Sequence, residues 1–103
     1  MHFILLVGAT YSFDVALLMG NYDPREAAER AAKGTHLIGI VVKSGKGEVI
    51  KTFEAQCRFG DTLGVSPFCT TIKLPESAEG LIHVYATFDG DEVAVCALEL
   101  RRR

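Results

Sequence analysis

Apolar residues along the chain fall into short runs divided by glycines and polar turns, with one alanine-rich interruption. Phe3 to Val7 is a continuous apolar run of strand length, and Gly8-Ala9-Thr10 offers a turn after it. The run from Ser12 to Met19 fits no single period, because Val15, Leu17, Leu18 and Met19 match neither two nor 3.6 residues. A second strand is expected there, with a short helix as the alternative. His36 to Lys43 is rich in β-branched residues and reads as a strand. Ser44-Gly45-Lys46-Gly47 reads as a hairpin turn. The return strand, Glu48 to Cys57, places Val49, Phe53, Ala55 and Cys57 on one face. Ile50 shares the other with Glu48, Thr52, Glu54 and Gln56, so that face is expected to meet solvent.

Residues 58–66 contain two glycines and no period, and are expected to form a loop. Pro67 to Leu74 is expected to be a strand beginning on its proline, where a missing donor is tolerated. The last two runs, Leu81 to Phe88 and Glu92 to Leu100, flank Asp89-Gly90-Asp91. Asp-Gly between alternating apolar residues is a strong hairpin signal. In the second arm Val93, Val95 and Ala97 alternate with Ala94, Cys96, Leu98 and Leu100. A strand apolar on both faces is expected to be covered on both. Either the helix covers one face and a partner or loop the other, or the sheet folds on itself.

The interruption is a helix with both ends marked. Asp23 is placed to cap, Pro24 to occupy the first helical position, and Glu26 to reach back to the cap. Four alanines favour the helix, Glu26/Arg30 and Glu29/Lys33 are i,i+4 pairs, and Gly34 supplies the stop. The fold class expected is α+β. It comprises a chiefly antiparallel sheet of six or seven strands, ordered β-β-α-β-β-β-β-β, with one short helix (about 24–33) packed on it. A single domain over residues 1–103 is expected.

Composition adds three points. The chain has 103 residues, 49% apolar and 23% charged, which excludes disorder as the default. So few charges leave apolar surface exposed, which points to a homodimer or a protein partner. The net charge of −2 argues against a nucleic-acid partner. Charge is nonetheless uneven: between Asp61 and Leu100 Lys73 is the only base among the acids, and Arg101, Arg102 and Arg103 then end the chain as a solubilising tail. Cys57, Cys69 and Cys96 are odd in number and lack zinc-site spacing, so they read as reduced, buried thiols in a cytoplasmic protein. No run reaches the ~20 apolar residues of a membrane span. Met1 to Val7 lacks a basic start and reads as a strand, not a leader.

No spacing in the sequence commits it to a reaction. Cys69, His83 and Asp61 could be drawn as a triad, but triads are defined by geometry. Gly45-Lys46-Gly47 lacks phosphate-loop spacing, and Asp89-Gly90-Asp91-Glu92 lacks a calcium-loop pattern. No cofactor or metal is expected. The candidate ligand-binding residues are His83 and Tyr85, which share a strand face, with Phe59 and Asp61 in the irregular segment. Asp89, Asp91 and Glu92 are the candidate partner-binding residues, because an acidic face steers a basic partner. The favoured expectation is a small non-enzymatic protein-binding or regulatory module, acting through a sheet or the acidic C-terminal face. The alternative is a small-molecule binding domain, enzymatic or not, with its pocket between helix and sheet or at a dimer interface.

Overall fold

Seven strands and one helix form along residues 1–101, which the computed structural model describes; Arg102 and Arg103 of the basic tail lie outside the described residues. The elements are β1 (His2–Gly8), β2 (Phe13–Asn21), α1 (Pro24–Lys33), β3 (Thr35–Ser44), β4 (Val49–Arg58), β5 (Gly64–Ile72), β6 (Gly80–Phe88) and β7 (Asp91–Leu100). All strand pairs are antiparallel, and they divide into two sheets, β1-β2-β5 and β4-β3-β6-β7. The two sheets stack face to face and share one interior. The ambiguous run 12–19 becomes β2, because its alternate residues Phe13, Val15, Leu17 and Met19 are all buried.

The core lies between the sheets. β2 contributes those four residues, β3 adds Ile38, Ile40 and Val42, and β6 adds Ile82, Val84, Ala86 and Phe88. Period-two alternation puts these on one face of each strand. Burying a side chain of this size contributes about 1.5–3 kcal/mol, so the central strands of both sheets hold the fold.

Two β-bulges change faces that strict alternation assigns otherwise. One lies opposite Val42/Lys43, where Lys43 pairs with Val49 and Val42 with Lys51. It turns Ile50 against the core and leaves Val49 exposed, the reverse of the expected faces. The other lies opposite Ala86/Thr87, where Ala86 pairs with Ala94 and Thr87 with Glu92. It brings Val93 to the core side together with Ala94. Val95, on the opposite face of β7, stays 55% exposed, so β7 is covered on one face only, contrary to the cover expected on both.

The segment between β4 and β5 is shorter than expected, because strand pairing runs to Arg58 and resumes at Gly64. Pro67 is therefore inside β5, not at its start. An edge strand tolerates it, since the side lacking an N–H need not face a neighbour. The last hairpin turns on two residues, Asp89 (φ 51°) and Gly90 (φ 88°), the two left-handed positions of a tight hairpin turn.

Helix α1 bridges the sheets at one end of the sandwich, with Ala27 buried. Asp23 caps it by accepting from the Arg25 N–H at 2.9 Å, and Pro24 opens it. Glu26 does not close a capping box; its carboxylate takes the amino group of Met1 at 2.7 Å and sits 3.6 Å from Arg30. Lys33 reaches Asp89 of the last hairpin at 2.9 Å. No described helix is long and apolar enough to cross a membrane.

Candidate functional site

The outward face of the three-stranded sheet is apolar and open. The β1-β2-β5 register sets Ile4 beside Leu18 and Pro67, Leu6 beside Ala16 and Cys69, and Gly20 beside Val65. These residues alternate with the core residues of the same strands, so their side chains point away from the sandwich. Ile4, Leu6 and Val65 are 57%, 52% and 55% exposed. Helix α1, which could have covered this face, is instead held at the sandwich end by its contacts with Met1, Asn21, His36 and Asp89. The one acid on the face, Asp14, accepts from Ser12 and from Thr71, both at 2.6 Å. Those bonds, Ser12's first, hold its carboxyl below the usual range. A shallow depression of about 560 Å³ lies at the Asp14 end, lined by Leu6, Gly8, Ala16, Cys69 and Thr71. Cys69 is exposed here, contrary to the expected core thiol; its place on the outward face follows from pairing with Ala16.

A second concavity lies between α1 and the sandwich, a hollow of about 320 Å³ bordered by Glu29, Arg30, Lys33, His36 and Asp89. Its centre is an Asp–His pair. His36, 2% exposed, meets Asp89 through Nδ1 at 2.7 Å and the Arg30 carbonyl through Nε2 at 3.0 Å. Its ring stacks on Phe88, centroids 5.1 Å apart, and meets Phe59 at 5.5 Å. Each ring nitrogen thus has an oxygen partner within hydrogen-bond reach. The Asp89 carboxylate also accepts from the Leu37 N–H at 3.0 Å and from Lys33. Partial burial opposes ionisation of Asp89, but the bonds from Lys33, His36 and Leu37 together outweigh it and hold the carboxyl far below the usual range. A general base needs a nitrogen free to take a proton, and His36 has both engaged. The pair fastens helix end, β3 and hairpin together.

The residues expected at a ligand site do not converge. His83 and Tyr85 do neighbour each other on β6, with ring centroids 6.4 Å apart and Lys43 Nζ 5.1 Å from the Tyr85 centroid. They lie on the outward face of the four-stranded sheet, since Ile82, Val84 and Ala86 point inward. Phe59 packs on the inward side with His36 and Phe88, and Asp61 is exposed in the loop 59–63. Of the candidate partner-binding acids, Asp91 and Glu92 are exposed at the hairpin, while Asp89 is bound into the fold. Sequence reasoning missed His36. The available signal was a lone histidine just past a helix stop, where a side chain can bond the last helical carbonyls.

Burial pushes the Cys57 thiol up, and the charge of Asp89 adds to this. Among the described residues, no three His, Cys, Asp or Glu side chains converge on a metal position, and no buried side-chain polar atom lacks a partner. No protein-family model matches the chain, and no curated protein or solved structure is detectably similar to it.

Proposed function

We propose that the chain is a small non-enzymatic protein-binding module of the cytoplasm, and that its docking surface is the outward face of the β1-β2-β5 sheet. The observation that carries this reading is the open apolar surface around Ile4, Leu6, Leu18 and Val65. Exposed contiguous apolar surface of this kind marks interaction sites. A protein surface that is itself apolar and weakly charged is the partner it suits, because the single acid, Asp14, already has two donors. The acidic residues suit it less. Asp91 and Glu92 lie at the helix end of the sandwich, whereas Glu76 and Glu79 precede β6 at the opposite end. The cytoplasmic placement rests on three unbridged cysteines.

A photo-crosslinking residue placed at Val65, and at Thr52 on the other sheet as control, tests the reading. A protein captured from Val65 and not from Thr52, whose purified form binds the chain and loses at least ten-fold in affinity to V65D, is the expected result. A captured protein that binds V65D as tightly as the wild type would overturn it.

A further inference from the structure

The two outward faces of the sandwich differ in kind. That of the four-stranded sheet bears Lys43, Glu54 and Glu99 among its residues. The strands of the three-stranded sheet hold one carboxylate, Asp14, and no Lys or Arg. The apolar face is also hollowed. Ala16, in the central strand, is flanked by Leu6 on β1 and Cys69 on β5, and the depression of about 560 Å³ opens over it. Aromatic rings stand at both ends of this face. Tyr11 is fully exposed in the turn at the Asp14 end. At the other end the Tyr22 ring lies over Gly20, where a β-carbon would fall 2.6 Å from it, and more than half of Tyr22 is exposed. Tyrosine is enriched at interfaces, and Lys, Glu and Asp are depleted there.

We infer that the partner presents one amphipathic helix to this face, laid along β2 with its N-terminus toward Asp14. This rests on the docking reading and specifies the element that docks. Dimensions favour a helix. Three strands about 4.8 Å apart make a face roughly 14 Å wide, and the seven residues of β1 make it ~24 Å long. A helix with its side chains is about 10–12 Å across and rises about 1.5 Å per residue, so one helix of about sixteen residues fills the face and a second has no room. Its apolar stripe, recurring at i, i+3, i+4 and i+7, meets the sheet. Shape agrees. A helix is convex in section, so an apolar side chain on its stripe enters the hollow over Ala16. A second sheet laid across would span that hollow, and a void forfeits contacts on its lining. Charge sets the direction. Ser12 and Thr71, both neutral, hold Asp14 ionised. The positive end of a helix dipole, its N-terminus, is favoured beside such a carboxylate. The partner helix therefore runs parallel to β2.

The test pans two phage-displayed libraries of peptides about sixteen residues long on the purified full chain. One library places Leu, Ile, Val and Phe at helical spacing, the other at alternate positions. Enrichment from the helical library alone is expected. A synthetic peptide from it should gain helicity on binding, by circular dichroism, and lose at least ten-fold in affinity to A16K. V65D, on an edge strand of the same face, should cost as much and keeps the test open should A16K not fold. D14N should weaken binding about two- to five-fold. Enrichment of the alternating library, or of neither, would overturn the helix, as would binders that stay non-helical. Where V65D still weakens such binders, the docking face stands without the helix. Binders indifferent to V65D would overturn both, and equal or tighter binding to D14N would overturn the direction.

Discussion

Replacing Asp89 with asparagine should unfasten the helix end of the sandwich. The amide oxygen of the new side chain can still accept from the Leu37 N–H. Its amide nitrogen, however, cannot accept, so the Lys33 bond and the contact of His36 with a charged oxygen are both lost. The His36 bond is the costly loss, because the ring is buried and its Nδ1 has no second acceptor in the contacts formed. A hydrogen bond to a charged group is worth about 1.5–3 kcal/mol. The Lys33 ammonium is more than half exposed and adds at most about 1 kcal/mol. D89N should therefore lose about 2–3 kcal/mol, or roughly 10–20 °C in Tm for a chain of this length. The carboxyl of Asp89 is depressed in the folded protein, so its contribution is present above the unfolded pKa of about 3.9 and is lost as pH falls toward the folded value. Urea titrations of wild type and D89N should differ through neutrality and converge below about pH 4. A difference under about 0.5 kcal/mol at neutral pH would refute the fastening role. So would a gap that does not narrow between about pH 5 and about pH 3.

Two further outcomes follow from the sheet geometry. Gly39 pairs with Thr87 across β3 and β6, and a methyl group at position 39 would collide with the Thr87 hydroxyl. G39A should cost about 1–2 kcal/mol in chemical denaturation, with most of it recovered in G39A/T87A; an additive double variant would contradict the collision. Native-state alkylation followed by mass spectrometry should label Cys69 at least ten-fold faster than Cys57, whose thiolate is disfavoured by burial and by Asp89. Equal labelling would place Cys69 in the core after all.

Local order in this protein is readable from the residues themselves. Asp23, Pro24 and Gly34 bound the helix because cap, first-turn proline and left-handed stop each act within a few residues. Asp89-Gly90 turns the last hairpin because both positions need positive φ. The seven strands follow from apolar alternation and the turns between them. The candidate site was far less readable. His36 and Asp89 are 53 residues apart, and only the hairpin's return to β3 brings them together. The bulges that turn Ile50 and Val93 inward shift register by one residue, and a period-two reading has no means to place them. Tertiary structure also decided how an excess of apolar strands is covered. Two sheets stack and each hides one face, and the helix goes to the end of the sandwich. The outward apolar face of the β1-β2-β5 sheet remains in water, because seven strands in two layers have only one interior.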